Sequence, residues 1–110
     1  MTVSTHVLDA VAGRPAGGVA VSLSFLDPAG APGVWVAVEA GETDADGRHR
    51  FACDTPPGVY RLAFGTGEYF AALGVATFYP EVTITFTVSA GHYHVPLLLS
   101  PFGYSTYRGS

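Results

Sequence analysis

The chain contains no lysine. Its five cationic side chains are all arginine, set against nine carboxylates, for a formal net charge of -4. Without a basic cluster there is no electrostatic footprint for a phosphate backbone, so nucleic acid is not an expected partner. Cysteine is nearly as scarce: Cys53 stands alone, so no intrachain disulfide can form, which suits a reducing compartment. Long apolar runs are missing too. No window approaches the ~18 uninterrupted apolar residues of a membrane-spanning helix, and the opening MTVSTHVLDA lacks the basic and apolar regions of a secretory signal. The expectation is a soluble cytoplasmic protein with no membrane partner. Its 110 residues suffice for one core, hence one domain over 1–110 that needs neither disulfide nor structural metal, although subunit association would add burial.

Turn formers, by contrast, are plentiful. Fourteen glycines and eight prolines separate short apolar runs, the pattern of an all-β sandwich or barrel. THVLDAV, VAVSLSFL, VWVAVEAGET, RHRFAC, VYRLAFGTG, EVTITFTVS, HYHVPLLLS and YSTYR read as strands, and the segments AGRPAGG, DPAGAPG, DADG and DTPPG read as breaks. That makes seven or eight strands. EYFAALG is built from helix formers with Gly74 placed as a C-cap, so one short helix is expected over residues 68–73.

Strand periodicity sorts the polar residues onto faces. Arg48 and Arg50 share a face opposite His49 and Phe51. His92 and His94 share a face opposite Tyr93 and Val95. His6 and Leu8 point away from Val7 and Asp9. His49 and Arg50 read as solvated positions. Cys53 has no base beside it in sequence and reads as a packed thiol rather than a nucleophile. A zinc site built from His6 with His92 and His94 is conceivable by residue type, but no carboxylate or second cysteine stands at a matching spacing, and no metal is expected.

The blocks STHVLDAVAGRPAGGVAV, TDADGR and HYHVPLLLSPFGYSTYRGS resemble the transthyretin-like 5-hydroxyisourate hydrolases across nearly the whole chain. The middle block is the weakest, since unrelated β-sandwich modules carry a similar D-G-R followed by P-P-G-x-Y. The outer blocks also resemble the hormone carrier transthyretin. His6, Arg48, His94 and the closing YRGS separate the hydrolases from the carrier. The departures from the hydrolase pattern are a missing acidic residue before HYH and Phe102 in place of tryptophan.

The resemblance implies a transthyretin-like antiparallel β-sandwich and the hydrolysis of 5-hydroxyisourate to 2-oxo-4-hydroxy-4-carboxy-5-ureidoimidazoline in urate degradation. No cofactor is implied. Carried over position by position, the catalytic residues are His6, Arg48, His94 and Ser110, with Tyr107, Arg108 and Gly109 binding substrate and His92 supporting or neutral. The resemblance also implies a homotetramer with sites at the dimer–dimer interface, which would cover the β-rich edges. Such chemistry needs a base for water, an acid for the leaving nitrogen and a cation for the oxyanion, and histidine and arginine supply these. Either histidine could be the base. Ser110 lacks the glycine pattern of a nucleophile elbow. Gly109 is expected to let the chain turn so that Arg108 and Ser110 face the cleft. Two other readings stand beside this one: a small-molecule carrier without catalysis, and a structural sandwich module.

Overall fold

A computed structural model describes residues 2–29 and 33–109. Nine strands and one helix form two sheets: β1 (Thr2–Asp9), β2 (Arg14–Pro15), β3 (Ala20–Leu26), β4 (Trp35–Glu42), β5 (Arg48–Arg50), β6 (Gly58–Phe64), α1 (Thr66–Ala72), β7 (Val82–Val88), β8 (His92–Ser100) and β9 (Gly103–Thr106). The eight expected strands all form. The additional one, β2, lies inside the expected turn AGRPAGG, where Arg14 and Pro15 pair with Asp9 and Leu8.

One sheet runs β4-β3-β6-β7 and is antiparallel throughout. The other runs β2-β1-β8-β9, with β5 pairing β1 beside β2. Within this antiparallel-dominated sandwich one pair is parallel: β1 lies along β8 from Thr2↔His92 to Asp9↔Leu99. Sequence periodicity reveals which residues share a face but not the direction of a partner eighty or more positions away, so this pairing had no local signal.

Alternation builds the core. Val3, Thr5, Val7 and Asp9 of β1 are buried while Thr2, Ser4, His6 and Leu8 are half-exposed. On β8, Tyr93, Val95, Leu97 and Leu99 point inward, meeting Val21, Leu23, Tyr60, Leu62 and Phe64 of the facing sheet. The hydroxyl of Thr5, fully buried among these, donates to the Val95 carbonyl at 2.6 Å, so it carries no unpaired donor into the core.

The helix starts two residues before the expected position, at Thr66, whose side chain is buried. It ends at Ala72, one residue before the expected position, and Gly74 caps it as expected. Gly74 takes a positive φ of 68°, its N–H donates to Ala71 O and that of Val75 to Phe70 O, which is the Schellman arrangement. Tyr69 ties the helix to β1 by donating to Asp9 Oδ2 at 2.8 Å. Asp9 Oδ1 accepts the N–H groups of Val11 and Ala12, and this side-chain turn ends β1. Burial alone would raise the Asp9 carboxyl, but those N–H donors, the Tyr69 hydroxyl and Arg14 outweigh it and hold the group below its ordinary value. The same burial and bond push the Tyr69 phenol up to about 12.

The two edges of the sandwich differ. At the β4/β5 edge, Glu39 reaches across and accepts the N–H groups of Ala52 and Cys53 at 3.0–3.1 Å, joining the sheets. At the other edge, β7 and β9 each have a free side. Between them opens an apolar cleft of about 270 Å3 lined by Ile84, Phe86, Tyr93 and Val95, with Thr106, Tyr107 and Arg108 at its rim.

Candidate active site

The site is built on the outer face of β1, β5 and β8. The turn DADG delivers β5 to it. Asp44 Oδ1 accepts the N–H groups of Asp46 and Arg48, and Gly47 N–H donates to Asp44 O at 2.9 Å. Gly47 has φ of 75°, and a Cβ there would lie 2.4 Å from Val7 O. Only glycine can make this approach, which lets Val7 N–H reach Gly47 O at 2.7 Å. The result is the register His6↔Arg48 and Ser4↔Arg50. On the other side of β1, the parallel pairing sets Ser4 against His94 and Thr2 against His92.

His6, Arg48 and His94 therefore come together on one face, although they come from strands near the start, the middle and the end of the chain. The concavity over this face has a volume of about 370 Å3 and is lined by Ser4, Arg48, Arg50, His92 and His94 among others. Burial disfavours the charged form of His94, and the fields of His6, His92 and Arg48 add to this, so its pKa is lowered below 6.5. A neutral imidazole beside a permanent cation is the state a general base needs near neutral pH.

Three hydroxyl–imidazole hydrogen bonds organise the histidines. Ser4 Oγ lies 2.8 Å from His94 Nδ1 and 2.9 Å from His92 Nε2, and Thr2 Oγ1 lies 2.5 Å from His92 Nδ1. With Nδ1 engaged by Ser4, Nε2 is the His94 nitrogen for a reacting group, and no hydrogen bond from the described residues occupies it. Thr2 and Ser4 were not singled out from the sequence, yet the same alternation that set His6 outward on β1 sets them outward as well.

The closing segment reaches the site through its backbone. Gly109 forms an antiparallel bridge to His94, donating its N–H to His94 O at 2.8 Å. A Cβ on Gly109 would lie 2.6 Å from His94 Cδ2, so this residue is small because the imidazole ring occupies the space. Its φ is not positive; the expected left-handed turn is absent, and close approach is the reason for glycine. Arg108 consequently does not turn toward the histidines of its own chain. Its guanidinium stacks 4.5 Å from the Tyr93 ring centroid, on the opposite side of β8, and Tyr107 lines the same apolar cleft. Ser110 lies outside the described residues.

His49 and Arg50 part company. Arg50 is exposed, as expected. His49 is not a solvated position: it packs edge-on against Phe51 with ring centroids 4.6 Å apart, lies against Gly41 and sets Nε2 3.6 Å from Glu39 Oε2. Cys53 is half-buried, and its thiol is raised, first by burial and then by Glu39, which disfavours a thiolate nucleophile. Among the described residues no group of three or more His, Cys, Asp or Glu side chains is arranged to hold a metal ion, and no helix is long and apolar enough to cross a membrane.

Residues 3–109 match the HIUase/Transthyretin family. The chain is similar to the 5-hydroxyisourate hydrolase of Caulobacter vibrioides, 47% identical over 115 residues covering 97% of this chain and 96% of that protein. It is similar to that of Salmonella typhimurium, 46% identical over 112 residues covering 97% and 79%. Among solved structures it resembles Klebsiella pneumoniae 5-hydroxyisourate hydrolase, with a TM-score of 0.87, 40% identity and complete coverage of both chains. Transthyretin from Sparus aurata superposes equally well, with a TM-score of 0.88, 35% identity and coverage of 97% and 95%.

Proposed function

The chain belongs to the HIUase/Transthyretin family, and we propose that within it this protein is a cyclic amide hydrolase that opens 5-hydroxyisourate to 2-oxo-4-hydroxy-4-carboxy-5-ureidoimidazoline. The observation that carries this reading is the grouping of His6, Arg48 and His94 on one polar face of the sheet, where Arg48 and His94 line the concavity and His6 pairs with Arg48 beside it, in a chain whose curated relatives are named as that hydrolase. Water adds to the ring carbonyl as one histidine takes its proton. Arg48 balances the negative charge that develops on the carbonyl oxygen. The C–N bond then breaks, and the leaving nitrogen receives a proton from the histidine acting as acid. The lowered pKa of His94 favours it as the base, with His6 as acid or orienting group. No cofactor is required by these steps.

The same reading assigns Tyr107, Arg108, Gly109 and Ser110 to the site. Gly109 fits it directly through His94. Arg108 and Tyr107, facing the other side of β8, would serve a site completed by a second subunit. The free edges of β7 and β9 and the apolar cleft between them support assembly, and we place the protein as a single-domain cytoplasmic homotetramer with sites between its dimers. Sedimentation at activity-assay concentrations tests this: a monomer with full specific activity would refute it.

A small-molecule carrier is the second reading. It is favoured by the fold shared with a sea bream transthyretin solved in complex with thyroxine, but a face lined by histidine and arginine suits a polar planar purine derivative better than an apolar ring. Turnover separates the two. Urate oxidase and urate generate 5-hydroxyisourate in situ, and addition of this protein should speed loss of its absorbance above spontaneous decay. An unchanged decay would leave the carrier.

A further inference from the structure

Beyond the proposed acid–base pair, the outer face of β1 and β8 carries further polar side chains. There four side chains form a continuous hydrogen-bonded chain: Thr2 Oγ1 to His92 Nδ1 at 2.5 Å, His92 Nε2 to Ser4 Oγ at 2.9 Å, and Ser4 Oγ to His94 Nδ1 at 2.8 Å. Ser4 has a single hydroxyl proton, so it cannot donate to both imidazoles. If it donates to His94 Nδ1, then His92 Nε2–H must donate to it, Thr2 donates to His92 Nδ1, and His94 carries its own proton on Nε2. If the polarity is reversed, His94 Nδ1–H donates to Ser4, Ser4 donates to His92 Nε2, His92 Nδ1–H donates to Thr2, and His94 Nε2 is bare. The two polarities present opposite faces to a substrate: a proton donor in the first, a proton acceptor in the second.

We propose that Thr2, His92 and Ser4 are positioning residues that switch His94 Nε2 between base and acid by reversing this chain. The proposal rests on reading His94 as an acid–base residue. When Nε2 takes a proton from the attacking water, the Nδ1 proton passes to Ser4, the Ser4 proton to His92 Nε2, the His92 Nδ1 proton to Thr2 and the Thr2 proton to solvent. Protonation of the leaving nitrogen runs the chain backward, with one proton returning from solvent. His94 then never accumulates as imidazolium. That matters because the groups facing it are His6 on β1, Arg48 and Arg50 on β5 and His92 on β8, while Asp44 of the preceding turn lies by Arg48 and His6 and not among the groups that act on His94. His92 is exposed while His94 is half-buried, so the chain leads from the site toward water.

The test uses ring nitrogen chemical shifts of 15N-histidine-labelled protein together with kcat and KM on freshly generated 5-hydroxyisourate. Ser4→Ala is expected to move the His94 ring nitrogens to a different tautomer balance. It should lower kcat about ten- to a hundredfold with little change in KM, the scale at which loss of a group orienting a histidine is felt elsewhere. Ser4→Thr, which keeps the hydroxyl, should restore both. His92→Gln, which can still bond to Ser4 but cannot pass a proton on, should lower kcat while leaving the melting temperature in place. His94 shifts unchanged in Ser4→Ala, or wild-type kcat in both Ser4→Ala and His92→Gln, would overturn the proposal. If instead the wild-type protein fails to speed 5-hydroxyisourate decay, or His94→Ala matches it, the catalytic reading of His94 fails, and with it the switch, whatever tautomers the spectra reveal.

Discussion

Strands β1 and β8 each carry two lives on alternate residues. Their inner faces hold Val3, Thr5, Tyr93, Val95 and Leu97, all buried, with the Thr5 hydroxyl satisfied by a backbone carbonyl and the Tyr93 oxygen by the N–H groups of Ser89 and Ala90. Their outer faces hold Thr2, Ser4, His6, His92 and His94, where hydroxyls and imidazoles bond one another across the strands. Neighbours in sequence thus answer to different physics. The inner residues stabilise by leaving water, and the outer ones are arranged for chemistry, where a neutral imidazole is kept beside fixed positive charge at some cost in stability. A pleated strand can keep these demands separate because adjacent side chains project to opposite sides.

The sharpest way to test this separation is His94→Ala or Arg48→Ala. Each is expected to lower kcat by about 10²- to 10⁴-fold with little change in melting temperature, measured by turnover and thermal unfolding on the same preparations. Leu97→Ala on the inner face should do the reverse, removing about 2–5 kcal/mol of stability in denaturant unfolding while the folded fraction turns over normally. Equal damage to both properties by either variant would break the contrast between faces.

Gly109→Ala probes the point where the backbone meets the outer face. The added Cβ would displace the His94 ring, and a misplacement of that kind is expected to cost about tenfold to a hundredfold in kcat. Wild-type kcat would mean that the ring position is not critical. His49→Ala is smaller still. It sits one residue from Arg48 but faces inward, so the expected loss is about 1 kcal/mol of stability with kcat within about twofold. A kcat loss matching that of Arg48→Ala would reverse the assignment of faces on β5.

Acidification gives the mildest effect. The folded protein holds His94 below its ordinary pKa of 6.5, so between the folded value and 6.5 the unfolded chain binds a proton that the folded chain refuses. The stability contribution from this group therefore falls as pH drops through 6.5 and levels off below the folded pKa. In the wild type, the acid limb of kcat/KM should lie below 6.5. His92→Gln removes one of the groups that lower the His94 pKa, alongside His6 and Arg48, and should move that limb upward. No movement would mean that His92 does not act on His94 electrostatically.

Much of this was legible in the sequence. Alternation located seven or eight strands, set Arg48 apart from His49 and put His92 and His94 on a shared face, because side-chain alternation at period two is a local property of each strand. Gly74 announced the end of the helix for an equally local reason. What stayed hidden depended on partners far along the chain. Nothing within HYHVPLLLS discloses that β1 runs parallel to it, and so nothing disclosed that Ser4 stands between two histidines. His49 read as solvated because Glu39 and Gly41, which enclose it, lie on the other sheet. Arg108 was expected to face the cleft, and the contact it makes within this chain was not legible: the bridge between Gly109 and His94 aligns the closing segment with β8 and leaves Arg108 over Tyr93.

The parallel union of β1 with β8 also sets a timetable. Thr2 and His92 are separated by 90 positions, and the pairing continues at that separation for eight residues, so these are among the most non-local contacts a chain of this length can form. Closing so large a loop costs entropy before any contact rewards it, and folds dominated by such pairings form slowly. Sheet β4-β3-β6-β7 can assemble from hairpins and nearer neighbours, whereas the polar face requires the first strand to wait for the eighth. Refolding should therefore restore strand content and core fluorescence before it restores turnover, and a folding intermediate of this protein would be a half-sandwich with an unpaired first strand and no active site.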